Sequence, residues 1–154
     1  MSPRAAWRLE EAGFGPVYDY VAGKNDWLAA DLPFEGPAQL AGLFTRREIA
    51  TASGTTPAAE ALRRLRERGF GPVVVLNRAG VVMGAAYRKD LETATERAPL
   101  EALARFGVST VRPSEPAAEL AHRMGHAEVT RVVVTCSDGT LVGLFFAADV
   151  PVPA

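Results

Sequence analysis

The sequence of 154 residues has a single cysteine, almost no net charge and no long apolar run. Its one cysteine, Cys136, excludes an intramolecular disulfide and a zinc site built from several cysteines, as is typical of a reducing compartment. The 17 Lys and Arg residues nearly balance the 18 Asp and Glu residues, so no overall field attracts nucleic acid or an anionic membrane. No segment approaches the roughly 18 apolar residues of a membrane span, and residues 1–11 lack the apolar run of a signal peptide. We therefore expect a soluble cytoplasmic protein.

Residues 57–91 and residues 116–150 form a tandem repeat at a constant offset of 59, with 11 identities in 35 aligned positions. The copies share a helix start, a valine triplet, two glycines and a final carboxylate, among them Pro57/Pro116, Val73/Val132, Val74/Val133, Val75/Val134, Gly80/Gly139, Gly84/Gly143 and Asp90/Asp149. Such a repeat predicts two similar units, and the cleft between them is the first place to look for a binding site.

Each copy is predicted to begin with an amphipathic helix. In the first copy Thr56 can cap the helix, Pro57 suits its first position, and Gly69 is a natural end. The apolar residues between them recur at i, i+3, i+4 and i+7 and form one stripe, made of Ala58, Ala61, Leu62 and Leu65. The second copy has Glu115 in place of the capping hydroxyl, so its helix start is predicted to be weaker.

A strand, a turn and a returning strand follow each helix. The predicted segments are residues 73–76, 77–80 and 81–86 of the first copy and residues 131–135, 137–139 and 140–146 of the second. The segments that precede the copies, residues 43–53 and 106–112, are expected to add a strand to each sheet. Residues 88–103 are expected to link the copies through a helix that starts after Asp90 and restarts at Pro99.

A unit of strand, helix, two strands and helix that ends in this glycine-to-aspartate motif resembles the cystathionine-β-synthase-type (CBS) domain. The resemblance covers about residues 43–150. It implies an α/β fold of two tandem β-α-β-β-α lobes packed with pseudo-twofold symmetry, with a first CBS domain at 43–98 and a second at 99–154 that lacks its last helix. It also implies that clefts between the lobes bind adenosine ligands such as AMP, ATP or S-adenosylmethionine, and that two such modules associate into a flat dimer.

The ligand motif of the CBS family corresponds here to residues 84–90 and 143–149. In the family the aspartate accepts hydrogen bonds from the ribose, and a Ser or Thr three positions earlier contacts ribose or phosphate; Tyr87 and Phe146 stand at that earlier position here. The candidate ligand-binding residues are Thr51, Tyr87, Arg88, Lys89, Asp90, Thr110, Phe146 and Asp149. We name the cleft beside Asp90 the first cleft and that beside Asp149 the second cleft. The first is favoured, since basic residues and a predicted helix start adjoin Asp90.

The N-terminal part, residues 1–36, is similar over about 20 residues to the last strand and helix of a rhodanese domain. The matching positions are Gly13, Phe14, Val17, Tyr18, Asp19, Tyr20, Gly23, Trp27 and Leu28. A strand is predicted at 17–21, a helix at 24–30, and a linker at Pro33, Gly36 and Pro37. Because no cysteine precedes this segment, a sulfurtransferase is disfavoured, and the segment is interpreted as a remnant or as a cover for the first lobe.

Other chemical groups have plainer interpretations. His122 and His126 have the i, i+4 spacing of metal ligands, but the overlay puts them on the polar helix face, so solvated histidines are favoured over a metal site. The arginines at 63–68 are favoured as a solvated or dimer-facing surface rather than a nucleic-acid site. Cys136 has no neighbouring motif to activate it. A structural cap is as good an interpretation of Asp90 as ribose contact.

The hypothesis from the sequence is a non-enzymatic, regulatory CBS-like pair that binds an adenosine nucleotide between its lobes. Its ligand is expected to be AMP, ADP, ATP or S-adenosylmethionine, with no cofactor required. Its expected partners are a second copy in a homodimer and an effector protein, and not nucleic acid or a membrane. The alternative is a ligand-free interaction or dimerisation module whose clefts are filled by Tyr87 and Phe146.

Overall fold

The structure, a computed structural model, describes residues 3–18, 20–21, 23–36 and 39–151. The chain forms two four-stranded sheets with helices packed on them, which confirms the predicted α/β fold. The strands are β1 (Thr45–Arg46), β2 (Thr51–Ser53), β3 (Val73–Leu76), β4 (Val82–Ala86), β5 (Arg105–Phe106), β6 (Thr110–Val111), β7 (Arg131–Thr135) and β8 (Leu141–Phe146). The helices are α1 (Pro3–Glu11), α2 (Gly23–Ala29), α3 (Ala58–Arg68), α4 (Arg88–Thr93) and α5 (Ala117–His126). No helix in the described part of the chain is long and apolar enough to span a membrane.

The first sheet has the strand order β2-β3-β4-β5. Strand β2 runs parallel to β3, and β3 and β4 form the predicted antiparallel hairpin. Side chains alternate between the faces of a strand, so Val73 and Val75 pack under α3 whereas Val74 points to the other lobe. This burial on both faces explains the continuous valine run.

The second sheet has the order β1-β8-β7-β6, and it shows that the two copies exchange strands. Strand β1 precedes the first copy in sequence, yet it pairs antiparallel with β8 of the second copy. In the same way β5 leaves the second copy and pairs with β4. The segments that precede the copies add strands to the sheets as expected, and each segment supplies one short strand to each sheet. We call β2–β5 with α3 the first lobe, and β1, β6–β8 with α5 the second lobe.

The helix starts also depend on the exchanged segments. The amide of Ala58 donates to the carbonyl of Ala98 at 2.9 Å, and the equivalent amide of Ala117 donates to the carbonyl of Gln39 at 2.8 Å. The predicted Thr56 cap is wrong, because its hydroxyl bonds instead to Ser53 at 3.1 Å and the helix amides take these distant carbonyls. At both helix starts, backbone carbonyls from a distant segment thus take the place of side-chain caps.

The predicted end of α3 is confirmed, whereas the predicted start of α4 is wrong. Gly69 ends α3 with a φ of 78°, as predicted. Helix α4 starts at Arg88 rather than after Asp90, which lies in its first turn. Pro99 precedes a 3₁₀ turn, Leu100–Ala102. In the described residues β8 is followed by the 3₁₀ turn Ala147–Asp149, where β4 is followed by α4.

The two lobes face each other through their sheets with pseudo-twofold symmetry. At the axis, the amide of Val82 donates to the carbonyl of Gly139 and the amide of Leu141 donates to that of Gly80, both at 3.1 Å. The donors and the acceptors each differ by the repeat offset of 59. The buried core between the sheets contains Ile49, Val74, Val133 and Leu144. Any site between the lobes is therefore lined by residues of both copies.

Helix α2 covers the second lobe, so the expectation that the N-terminal part covers the first lobe was wrong. Leu28 is 6% exposed, Ala29 packs against the second-lobe core, and Asn25 accepts a hydrogen bond from Ser114 at 2.5 Å. The reason is that α2 docks on residues 41–44, which lead into the exchanged strand β1.

Two further expectations concern the segment before α2. The strand predicted at 17–21 is wrong for residues 17, 18, 20 and 21, which lie outside any strand. Asp19 of that strand and Pro37 of the predicted linker lie outside the described residues. The predicted helix is confirmed within one residue at each end by α2.

Candidate functional site

Asp90 and Asp149, which end the two ligand-like motifs, each face an arginine from an exchanged strand. Arg105 Nη2 lies 3.3 Å from Asp90 Oδ2, whereas Arg46 binds Asp149 through two hydrogen bonds of 2.6 and 2.7 Å. The two arginines are 59 residues apart, as are the two aspartates, so the pairs are equivalent in the repeat. The carboxylates that the family resemblance assigns to ribose thus hold an internal cation.

Aromatic rings hold these arginines from the other side. The Arg105 guanidinium lies 4.9 Å from the centre of the Tyr87 ring. Arg46 lies 4.6 Å from the Phe146 ring and 5.0 Å from the Phe70 ring. Guanidinium groups at such distances from ring faces are attracted by the ring quadrupole. Arg46 is therefore held by two rings and by two hydrogen bonds to Asp149, whereas Arg105 is held by one ring and by one hydrogen bond to Asp90.

The tighter pair changes the protonation equilibria of its members. The hydrogen bond from Arg46 lowers the pKa of Asp149, and the same contact raises the pKa of Arg46. Both shifts favour the charged forms, because each ion stabilises the other. The Arg46–Asp149 pair is therefore a fixed charge pair at neutral pH.

The glycines that open the two motifs allow the exchanged strands to approach. A Cβ atom on Gly84 would lie 2.6 Å from the carbonyl oxygen of Arg105, and one on Gly143 would collide with the carbonyl oxygen of Arg46. No side chain fits at such distances. The glycines therefore position the two arginines, which is a structural role separate from ligand binding.

The first cleft is an open cavity of about 200 Å³ between the sheets. Its walls are mostly apolar and come from both copies: Pro72, Ala85, Val108, Val129, Val132, Val133 and Leu144. The polar groups at the cavity are Tyr87, Ser109 and Arg131. Asp90 is outside the wall, but it follows Tyr87 by three residues in the first turn of α4. An apolar cavity with a few polar groups on one side suits a flat ring system bearing a polar substituent.

The second cleft is filled at the equivalent place. Phe70 and Phe146 pack edge to face there with ring centres 5.7 Å apart. The residues equivalent to them at the first cleft are Val129 and Tyr87. Since valine is much smaller than phenylalanine, the first cleft keeps a cavity where the second has a stacked pair.

A larger depression, about 520 Å³, lies beside β1 and adjoins the second cleft, since Arg46 and Phe70 line it together with charged residues of both signs. Arg68 binds Glu48 at 2.8 Å, and Arg47 lies 3.7 Å from Asp31. Because these charges satisfy one another, we favour the smaller inter-lobe cavity as the ligand site, where apolar walls and unmatched polar groups coexist.

The sequence model of the CBS domain family matches residues 39–97. Residues 39–97 form a CBS domain. The second lobe repeats its fold at the offset of 59, so the chain has the fold of a CBS domain pair. No curated protein matches the chain.

Several solved structures share this fold. The cytosolic domain of the Mg²⁺ channel MgtE, in complex with ATP, is 24% identical with a TM-score of 0.65, and the match covers 71% of this chain and 46% of that one. The CBS domains of a transcriptional regulator from Streptococcus pneumoniae are 19% identical with a TM-score of 0.65, covering 72% of this chain and 95% of that one. The CBS pair of protein MJ0100, in complex with 5′-methylthioadenosine and S-adenosyl-L-methionine, is 20% identical with a TM-score of 0.63, covering 73% and 93%.

The CBS pair brings only some of the sequence-predicted site residues together. Tyr87 lies in the first cleft and Asp90 beside it, whereas Phe146 and Asp149 lie with Arg46 at the second. Arg88 and Lys89 are exposed on α4. Thr51 and Thr110 lie on β2 and β6, and neither is in the wall of the first cleft.

Sequence reasoning missed Arg46, Arg105, Phe70, Ser109 and Arg131. Extending the offset of 59 back from residue 57 would have aligned Arg46 with Arg105 and exposed the first pair. Ser109 was missed by one position: neighbouring residues of an extended chain point to opposite sides, so Ser109 reaches the cleft and Thr110 does not. No sequence signal marks Phe70 or Arg131.

The remaining candidates stay outside the cleft. His122 and His126 place their Nε2 atoms 3.0 Å apart on the exposed face of α5. No cluster of three or more metal-binding side chains occurs in the part of the chain that the structure describes. On α3, Arg63 and Arg64 pair with Glu67 and Glu60, as expected of a solvated helix face. Cys136 is a half-buried free thiol.

Proposed function

We propose that this CBS pair is a non-enzymatic, cytoplasmic regulatory module that binds one adenosine nucleotide in the first cleft. The observation that carries the proposal is the apolar cavity between the sheets, which has Tyr87 at its edge and Asp90 three residues further on. The complexes of MgtE with ATP and of protein MJ0100 with methylthioadenosine and S-adenosylmethionine support the same ligand class. Here Asp90 would accept from the ribose, and Tyr87 would border the base or sugar.

The cavity size supports partial enclosure of the ligand. Small-molecule sites commonly have about 300–1,000 Å³, and this cavity has about 200 Å³. The base and part of the sugar would enter between the sheets, while the phosphate would remain at the open side near Arg131. The second cleft would bind no ligand, because the side chains of Phe70 and Phe146 fill it.

Regulation would follow because both lobes contribute residues to the cleft. Its walls come from both lobes, so a ligand can bias the packing of the lobes, and through it a homodimer contact or an effector protein. The bias can be no larger than the difference in ligand affinity between the two packings.

Thermal unfolding with and without AMP, ADP, ATP and S-adenosylmethionine tests the proposal. A ligand present at 100 times its dissociation constant should add about 2.7 kcal/mol to the free energy of unfolding. Asp90→Ala should remove the shift, whereas the matched variant Asp149→Ala should keep it while lowering the starting stability. Loss of the ligand shift with Asp149→Ala alone would refute the choice of cleft.

A ligand-free interaction or dimerisation module is the second candidate. The packing of Arg46, Phe70 and Phe146 favours it, because one cleft is already filled by the chain itself. Absence of a shift with all four compounds, together with a stable dimer in solution, would support this candidate over the first.

A further inference from the structure

The first cleft carries positive charge that the described chain leaves unmatched. Arg131 lies in the wall of the cleft and forms no salt bridge with any described residue. Arg105 stands on the Tyr87 ring at the same side, and among the described residues its one salt bridge is with Asp90. The local balance at the mouth of the cleft is therefore positive.

This charge is confined to the first cleft by a break in the repeat. The residue equivalent to Arg131 is Pro72, so the second cleft lacks the cation. The residue equivalent to Arg105 is Arg46, which is held by Asp149 at two points and by two rings. We therefore place the preference for a charged ligand at the first cleft.

We propose that the first cleft selects an adenosine ligand with a negative charge, such as a nucleotide phosphate, over the cationic sulfonium of S-adenosylmethionine. Arg131 is the residue that determines this specificity. The proposal rests on the proposed function, since it concerns the ligand of the same cleft. A guanidinium binds phosphate through charge-assisted hydrogen bonds, which are roughly twice as strong as hydrogen bonds between neutral groups.

Arg105 has a second part in this specificity. Its contact with Asp90 is a single hydrogen bond of 3.3 Å, and its side chain is 68% exposed. Exposed pairs of this kind are weak, so the ribose hydroxyls can replace Arg105 at Asp90. The released guanidinium stays beside Tyr87, where it can reach the phosphate. The ligand thus exchanges an internal ion pair for an external one.

Calorimetric titration of the full chain with adenosine, AMP and S-adenosylmethionine tests the proposal. AMP should bind about 10- to 100-fold more tightly than adenosine, as expected for a charge-assisted hydrogen bond, and more tightly than S-adenosylmethionine. Arg131→Gln should remove most of the AMP-to-adenosine ratio, because it lowers AMP affinity much more than adenosine affinity. Arg105→Ala should raise adenosine affinity about twofold to fivefold, because Asp90 is then available, while the ratio falls.

Arg46→Ala is the matched control, since it removes the equivalent arginine from the filled cleft. It should lower stability and leave the AMP-to-adenosine ratio unchanged. Each ratio is measured within one variant, so a loss of folded protein affects both affinities equally. Equal affinity for AMP and adenosine, or tighter binding of S-adenosylmethionine than of AMP, would overturn the inference and leave the proposed function standing. Failure of all three compounds to bind would overturn both.

Discussion

The Arg46–Asp149 pair should stabilise the fold measurably, and a double-mutant cycle can isolate its contribution. Arg46→Ala, Asp149→Asn and the double variant are compared by urea unfolding. Exposed ion pairs are worth about 0.2–1 kcal/mol, and two-point arginine contacts lie at the upper end. The side chains here are 44% and 27% exposed, so the pair is partly sheltered. We expect a coupling energy of about 1 kcal/mol.

The two single variants should not cost the same. Asp149→Asn removes the charge of the pair and should cost about 1 kcal/mol. Arg46→Ala also removes the contacts with Phe70 and Phe146, which at exposed sites are worth about 0.5–1 kcal/mol each. Its total cost should therefore be about 2–3 kcal/mol. The equivalent cycle on Arg105 and Asp90 is the internal control and should give a coupling of only about 0.3 kcal/mol, since that pair has one longer contact.

The pH dependence supplies an independent check. The pKa of Asp149 is lowered in the folded state by the hydrogen bond from Arg46. Its stabilisation should be fully present above the unfolded value of about 3.9 and be lost as pH falls through the folded pKa. The coupling should thus be equal at pH 7 and pH 5 and vanish in stronger acid. A coupling that is absent at pH 7, or that persists unchanged in acid, would refute the reasoning, as would a larger coupling for Arg105 and Asp90.

Further predictions follow from packing. Gly84→Ala should cost at least about 1–3 kcal/mol in urea unfolding, because its methyl group would meet the exchanged strand, whereas Gly80→Ala would test only the positive φ of the turn. Leu28→Ala should cost about 2–5 kcal/mol if α2 is part of the second-lobe core, and a cost near zero would mean that α2 is detached. Phe70→Val should open the second cleft, so that calorimetry detects a second, weaker site; a stoichiometry that stays at one would contradict the account of why that cleft is filled.

The repeated elements were predictable because their residues carry a strong local signal. The stripe of α3 has helical spacing, and β3 and β7 are continuous β-branched runs, so both copies give the same secondary structure. Gly69 ends its helix by the left-handed conformation that glycine favours. Local sequence determines these elements. The overlay of the two copies was therefore enough to predict two similar lobes.

The strand exchange was not predictable in the same way. Strands β1 and β5 have two residues each, too few to show any alternation of polar and apolar side chains. Their positions are set by tertiary contacts, namely the space that Gly84 and Gly143 leave beside the returning strands. The contacts of the motif aspartates could not be predicted for the same reason, because both arginines that bind them lie on the exchanged strands.

The strand exchange also predicts that the two copies fold as one unit. The predicted boundaries at residues 43–98 and 99–154 separate the copies in sequence, but the Ala117 amide needs the carbonyl of Gln39, and β4 needs β5 from beyond residue 98. A single copy would leave helix amides and a strand edge without partners, at a cost comparable to several lost hydrogen bonds. Because Arg105 lies on β5 and pairs with Asp90 on α4, the ligand proposed to replace it would act on a strand that is exchanged between the copies. The proposed binding site and the connection between the lobes therefore share Arg105.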